Sequence, residues 1–179
     1  MKPWIAIACA SLLLAETPNV LASNAGSAPK AEYPCDVFDM SFCFRKPWNA
    51  VVTQWSGPDF QVYSVATRDD APLFSVYDGM TPKQQDGRVR LKQYRTNDLR
   101  VDIGTLKHVE GAKQMDILIQ YPHGGYLHIF GASDQAGRDA LADAMTGFRP
   151  CKRRDVTSVD CETKPLFDEA AADLVRTLK

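Results

Sequence analysis

Four of the five cysteines stand in two close pairs, and they are the residues most able to do chemistry. Cys35 and Cys43 enclose "CDVFDMSFC", while Cys151 and Cys161 enclose "CKRRDVTSVDC". Such thiols could bind zinc, act as a redox pair or form disulfides. Neither pair has the spacing of about two to four residues that structural zinc sites use. No Cys-x-x-Cys motif of a thiol oxidoreductase is present. The spacing therefore favours structural disulfides.

The first residues indicate the compartment in which these cysteines would lie. An apolar run from Trp4 to Ala15 follows a basic start, and a more polar stretch of small residues comes next. This order is typical of a secretory signal peptide, with cleavage near Ala22, although a cut after Ala25 fits nearly as well. The apolar run is shorter than the roughly 20 residues that a membrane span needs. We therefore expect a periplasmic or secreted protein without stable membrane insertion.

The expected signal peptide covers residues 1–22 and leaves a leader and one domain. Residues 23–34 are small, polar and proline-containing, which predicts a flexible leader. Residues 35–179 are long enough to form a single domain with a sizeable core. In an oxidising compartment the four cysteines would form two disulfides. We prefer the local pairing of Cys35 with Cys43 and of Cys151 with Cys161, while pairings between the two segments stay open.

Alternating apolar and polar residues predict the strands that hold these loops. The stretches "LRVDI", "MDILIQY" and "YLHIF" alternate and are separated by glycine-containing turns. This pattern indicates an antiparallel meander with one face on the core. Apolar residues then recur at helical spacing in two segments, one capped by Ser133 and one with Pro165 in its first turn. The order predicts an α+β fold: an antiparallel sheet of five to six strands, two C-terminal helices packed on one face, and two disulfides.

Catalytic motifs are not found in the sequence. The three histidines, His108, His123 and His128, do not have the helical spacing of a zinc hydrolase. No Gly-x-Ser-x-Gly motif and no phosphate-binding loop is present, and nothing singles out a pair of carboxylates. The formal net charge of −1 argues against a general nucleic-acid binder. We therefore predict no catalytic residue, metal site or cofactor.

The sheet face opposite the helices is the expected contact surface. If Leu127 and Ile129 join the core, then Tyr126, His128 and Phe130 point outward. Aromatic anchors with a polar rim are typical of protein interfaces. The alternative is that this face is partly covered, for example by the N-terminal disulfide loop.

Two basic segments are further candidates for contact with a partner. The stretch "GRVRLKQYR" places three basic residues along one side of a strand, and "CKRRD" places three more in the second disulfide loop. Charges of this kind also guard edge strands or lie on solvated turns, and both interpretations stay open. The predicted partner-binding residues are Arg88, Arg90, Lys92, Tyr126, His128, Phe130, Lys152, Arg153 and Arg154.

These observations favour a non-catalytic function outside the cytoplasm. We expect an exported domain that binds another protein, with an inhibitor or immunity role against a toxin or cell-wall hydrolase as the preferred form. A protein that binds a small ligand or an envelope component is the first alternative. A carboxylate-dependent hydrolase is the second.

Overall fold

The structure, a computed structural model, describes residues 35–82, 86–107, 113–155 and 158–178. The expected signal peptide (1–22), the expected leader (23–34) and His108 lie outside the described residues. None of the described helices is both long enough and apolar enough to cross a membrane.

The described residues form two sheets and two helices. In chain order the elements are β1 (Val37–Phe38), β2 (Phe42–Phe44), β3 (Val51–Ser56), β4 (Phe60–Ala66), β5 (Pro72–Gly79), β6 (Val89–Thr96), β7 (Leu99–Lys107), β8 (Lys113–Gln120), β9 (Tyr126–Gly131), α1 (Gln135–Met145), β10 (Arg149–Arg153), β11 (Val159–Cys161) and α2 (Glu169–Thr177).

The larger sheet has seven antiparallel strands in the order β3-β4-β5-β9-β8-β7-β6. Two meanders compose it, one of three strands and one of four. The two meanders join where β9 pairs with β5. The chain segment that connects β5 to β6 therefore runs from the middle of the sheet to its far edge. The smaller sheet has the order β1-β2-β10-β11 and brings together the two cysteine-containing segments.

The prediction of an α+β fold with five to six strands is wrong. The described residues form mostly β structure, with eleven strands in two sheets and only two short helices. The strands of the smaller sheet have two to five residues, too few for an alternating pattern to be recognisable. Strand β3 was also missed, because five of its six residues are exposed and its sequence "VVTQWS" does not alternate.

Aspartates cap both helices, one in place of the expected Ser133. Asp134 and Asp168 are the N-cap residues. Each carboxylate accepts a hydrogen bond of 2.7 Å from the backbone N–H of the residue three positions later. The second helix begins after Asp168, beyond the expected first turn at Pro165. The intervening Leu166 and Phe167 are buried in the core instead.

The hydrophobic core lies between the larger sheet and a second layer made of the two helices and the smaller sheet. Buried side chains from all of these elements form one cluster. Phe148, between α1 and β10, stacks on Phe44 with ring centres 4.8 Å apart and also meets Phe42 and Phe167. Phe42 also makes an edge-to-face contact with the ring of Tyr63, a residue of the larger sheet, with ring centres 5.6 Å apart. Aromatic contacts therefore connect the two layers.

The two disulfides have the local pairing that the sequence analysis preferred. Cys35 is bonded to Cys43, and Cys151 is bonded to Cys161 across β10 and β11. They lie side by side, since the sulfurs of Cys43, Cys151 and Cys161 are within 4.8 Å of one another. Their presence is typical of an oxidising environment outside the cytoplasm.

Candidate partner-binding face

The larger sheet has a second face that points away from the core, here called the outer face. The described helices and the smaller sheet contribute their buried side chains to the core on the inner face. Leu127 and Ile129 of β9 join that core. Tyr126, His128 and Phe130 therefore project from the outer face, with the alternation that the sequence predicts.

Charged side chains cover one half of the outer face. Asp116 forms an ion pair with Arg88 and a hydrogen bond with His128, whose Nε2 lies 2.5 Å from Oδ1 of Asp116. Asp102 pairs with Arg88 and Arg90, each at 2.8 Å. We call these five residues the ionic half. Asp102, Asp116 and His128 are buried although they lie on the outer face, because the arginines and Phe130 lie against them.

A glycine on β7 makes room for the central arginine. A Cβ atom at Gly104 would lie 2.8 Å from Cζ of Arg88, so only glycine allows the guanidinium to lie against the strand. In this position Nη2 of Arg88 donates to the backbone oxygens of Asp102 and Asp116 at 2.8 and 3.0 Å. The guanidinium therefore satisfies backbone as well as side-chain acceptors.

The charges of the ionic half compensate one another. Burial alone would raise the pKa of Asp116, but the hydrogen bond with His128 and the ion pair with Arg88 outweigh it and lower that pKa. Burial would likewise lower the pKa of Arg88, but its bonds to Asp102 and Asp116 outweigh burial and raise it. Two carboxylates face two guanidiniums, so the network is complete without an external partner.

Aromatic side chains cover the other half of the outer face, on β3, β4, β5 and β9. The ring of Trp55 contacts Phe60 at 5.1 Å, and Phe60 stacks on Tyr77 at 5.6 Å. Gly79 is the cross-strand partner of Phe60 on one side and of Tyr126 on the other, so these three residues form one row across the sheet. We call Trp55, Phe60, Tyr77 and Tyr126 the aromatic half. Trp55 has 64% of its surface exposed, and the other three rings are half-buried.

Neighbouring glycines hold these rings in fixed positions. A Cβ atom at Gly57 would lie 2.3 Å from Cε1 of Phe60, and one at Gly79 would lie 2.5 Å from the hydroxyl of Tyr77. The rings therefore lie directly against bare backbone. The hydroxyl of Tyr77 also donates to the backbone oxygen of Thr81 at 3.2 Å. These contacts restrict the rings before any partner binds.

Two arginines extend the same row toward the opposite edge of the sheet. Arg95 and Arg100 are direct cross-strand partners, and Arg100 is in turn opposite Gln120, which is opposite Tyr126. Both arginines are exposed, and neither forms an ion pair with a carboxylate in the described part of the chain. Like charges placed directly opposite are destabilising. This arginine pair would be stabilised by an anionic group supplied from outside.

The predicted basic residues do not form one surface. A β-bulge between Arg90 and Lys92 turns Lys92 away from the outer face, and its Nζ lies 3.2 Å from a carboxylate oxygen of Asp168. Lys152, Arg153 and Arg154 lie on β10 and the turn after it, in the smaller sheet. Only Arg88 and Arg90 of the basic set lie on the outer face with Tyr126, His128 and Phe130.

Several residues of the outer face were missed in the sequence. Gly57-Pro58 is a turn signal in the sequence, and a hairpin about this turn would have placed Trp55 beside the strand that begins at Phe60. Pairing the Phe60 strand in turn with the next strand, β5, would have placed Tyr77 on the same face as Trp55. Arg95 and Arg100 could have been paired from the two-residue turn between their strands.

A second polar cluster lies on the inner face, beneath the loop closed by Cys35 and Cys43. The Tyr63 hydroxyl donates to Asp39 at 2.7 Å, and Ser41 donates to Asp78. The hydroxyl of Tyr121 donates to Ser41 at 3.1 Å. Burial raises the pKa of Asp78 to about 6; the bond from Ser41 opposes this shift and the charge of Asp39 adds to it. These bonds attach the loop to the sheet.

A cleft of about 320 Å³ opens beside this cluster, between the smaller sheet and β3–β4. Asp39, Tyr63 and Arg153 are among the residues that line it. Most of its lining residues are polar, and Phe38, Met40 and Val159 are the apolar ones.

No protein-family model, curated protein or solved structure matches this chain. The assignment of a function therefore depends on the residues themselves.

Proposed function

We propose that this protein is an exported, non-catalytic domain that binds another protein through its outer face. The aromatic half is the anchor of the contact, and the arginine pair is its charged part. The observation that carries the proposal is the row of rings from Trp55 to Tyr77, held by glycines on a sheet face that no described helix covers.

Rigid aromatic rings on an open surface favour binding for two reasons. Burial of an exposed ring contributes a large apolar area, and tryptophan and tyrosine are enriched among the residues that dominate binding energies. A ring that is already fixed also loses little conformational freedom when a partner binds. Trp55 is the most exposed member of the row.

The arginine pair favours an acidic partner. Arg95 and Arg100 repel each other in the free protein, and a carboxylate between them would relieve that repulsion. Glycoside hydrolases, which include enzymes that cut cell-wall sugars, carry paired carboxylates in their clefts. An inhibitor or immunity role against such a hydrolase or a toxin would fit this charge, and it is our preferred form of the proposal.

Export is the second part of the proposal. The basic start, the apolar run and the small residues near Ala22 support removal of residues 1–22, and the two disulfides support an oxidising compartment. The mass of the protein recovered from the host periplasm would show the cleavage position. Recovery of the uncut chain in the cytoplasm would contradict this part.

A second candidate function is the binding of a small ligand in the cleft beside Asp39. The buried Asp39 carboxylate and the Tyr63 hydroxyl would be its polar contacts. Native mass spectrometry of the protein from its host would reveal a retained molecule, and Tyr63→Phe should weaken its retention. The same measurement without any bound mass would leave the outer face as the functional surface.

The main proposal is tested by comparing variants on two surfaces. Tyr126→Ser with Arg100→Ser alters the outer face, while Arg153→Ser with Arg154→Ser alters the exposed turn of the smaller sheet. Each oxidised protein would be immobilised and exposed to an envelope extract of the host. We expect a partner retained by the wild type and the turn variant to be lost from the outer-face variant. Equal retention by both variants would refute the outer-face site.

A further inference from the structure

Strand β3 is an edge strand of the larger sheet, and three of its six residues have backbone groups that bond to no described strand. Strand β3 pairs only with β4 among the described strands. The Gly57 N–H donates to the Phe60 oxygen at 2.8 Å, and antiparallel bonding alternates along a strand. The backbone N–H and C=O groups of Val52, Gln54 and Ser56 therefore point away from β4. They are available to a further strand.

The two edges of the larger sheet differ in how they resist such pairing. At the opposite edge, β6 carries Arg90, Lys92 and Arg95 and has a β-bulge. Charges and bulges are the devices by which proteins guard an edge strand. Strand β3, "VVTQWS", has no charge, no proline and no irregularity in its pairing. It is an unguarded edge.

Exposed apolar side chains concentrate around the same edge. Of the eight large hydrophobic residues that are exposed in the described part of the chain, Val51 and Trp55 lie on β3 and Trp48 lies just before it. Phe38 and Met40 line the cleft that Gln54 also lines. Five of the eight therefore surround β3, as expected for a surface that another chain covers.

The sequence of β3 is complementary to itself in an antiparallel arrangement. If Thr53 of one copy lies opposite Thr53 of the other, then Val51 lies opposite Trp55, and Trp55 opposite Val51. Threonine pairs and pairs of an aromatic with a β-branched residue are both favourable across strands. All of these side chains are on the outer face. Strand β3 itself has no charged residue that would repel the same strand of a second copy.

We propose that two copies of this chain pair through β3 to form one continuous sheet of fourteen strands, counting seven from each copy. The two-fold axis passes through the Thr53 pair, perpendicular to the sheet. Both outer faces then point to the same side, which would double the surface available to a partner. Trp55 belongs to both surfaces, but the pairing does not depend on the outer-face proposal, because the backbone groups of β3 carry it and its test changes neither Trp55 nor Tyr126.

A charge at Thr53 tests the pairing directly. Thr53 is exposed and its side chain has no hydrogen bond among those of the described residues, so its replacement should not disturb the monomer. In the dimer, Thr53→Lys would bring two lysines together, and Thr53→Glu two glutamates. We expect either variant to raise the dissociation constant roughly 5- to 10-fold. A mixture of the two variants should restore pairing, because lysine then faces glutamate.

Sedimentation of the oxidised protein, expressed with its own N-terminus, would measure these constants. Val89→Lys places the same charge on the exposed part of the guarded edge and serves as the matched control. We expect a wild-type dimer, a Val89→Lys dimer of equal strength, and recovery only in the mixture. A monomeric wild type would overturn the proposal. A dimer that Thr53→Lys leaves intact, or a mixture without recovery, would overturn it as well.

Discussion

The two halves of the outer face differ in whether their side chains are satisfied within the protein. In the ionic half, Asp102 and Asp116 bond to Arg88, Arg90 and His128, and the charges balance. In the aromatic half and the arginine pair beside it, apolar rings face solvent and like charges face each other.

The difference indicates which half is structural and which is functional. A buried network with every charge paired stabilises one arrangement of the sheet and offers little to a partner. The solvent-facing surface of Trp55 contributes nothing to the stability of the free protein, and the repulsion between Arg95 and Arg100 lowers it. The aromatic half and the arginine pair are therefore the better candidates for residues that bind a partner.

The largest expected effect comes from breaking the ionic half. Asp116→Ala removes the carboxylate that faces both Arg88 and His128, in a position only 5% exposed at the side chain. Loss of one partner of a buried ion pair costs about 3–5 kcal/mol of unfolding free energy, which denaturant titration would measure. Asp143→Ala is the control, because Asp143 forms an ion pair with Arg176 at the exposed surface. Its expected cost is about 0–1 kcal/mol. Equal costs at the two positions would contradict the structural role of the network.

A smaller effect is expected from a methyl group inserted beneath the rings. Gly79→Ala would place a Cβ atom 2.6 Å from Cβ of Phe60, which belongs to the backbone-fixed part of that residue. The crowding should cost about 1–3 kcal/mol. It should also change the near-ultraviolet circular dichroism of the ring stack. A variant with unchanged stability and spectrum would show that the rings are not held by the glycine.

The inner-face cluster shows what buried acids do without the cations of the ionic half. Because the pKa of Asp78 is raised to about 6 in the folded protein, the folded state binds a proton more tightly than the unfolded chain. Stability contributed by Asp78 is therefore lost as pH rises from about 4, the ordinary aspartate value, to about 6. Asp78→Asn should add about 1–2 kcal/mol at pH 8 and little at pH 3, as measured by denaturant titration.

The opposite pH dependence is expected of Asp116. Its pKa is lowered in the folded protein, so its stabilising contribution is present above the unfolded pKa and is lost as pH falls through the folded one. In the Asp116→Ala variant the loss of stability on acidification should be smaller than in the wild type.

An Asp78→Asn variant that gained stability equally at pH 3 and pH 8 would contradict the assignment of the raised pKa to Asp78.

The smallest change in stability is expected at the arginine pair, and its sign is informative. Arg100→Gln removes the repulsion from Arg95 across the strand pair. The free energy of unfolding should rise by about 0.2–1 kcal/mol, as seen in thermal denaturation at low salt. High salt should reduce the gain, because the charges are exposed and screened. A loss of stability would show that the pair has a compensating partner within the protein.

Local patterns in the sequence were sufficient for the inner strands and the disulfides. The alternation in "YLHIF" divided the strand into two faces without deciding which of them is buried, since burial of one face enforces a period of two. The structure places Leu127 and Ile129 in the core. The close spacing of the cysteines indicated the pairing that the structure has.

The remainder depended on contacts between distant segments. The β-bulge that separates Arg90 from Lys92 has no signature in "GRVRLKQYR". The sequence analysis therefore placed all three basic residues on one side of the strand, whereas Lys92 points to the opposite face from Arg90. The pairing of β2 with β10 joins segments more than a hundred residues apart. No local pattern predicts such pairing, and the α+β prediction failed mainly for this reason.

The most direct test of the outer-face site is a comparative capture of partner proteins from the host envelope. The immobilised proteins would be the wild type, the outer-face variant with Tyr126→Ser and Arg100→Ser, and the turn variant with Arg153→Ser and Arg154→Ser. We predict that one protein is retained by the wild type and the turn variant and is absent from the outer-face variant. Its retention by the outer-face variant, whether or not the turn variant also retains it, would contradict the account. So would the absence of any protein retained by the wild type.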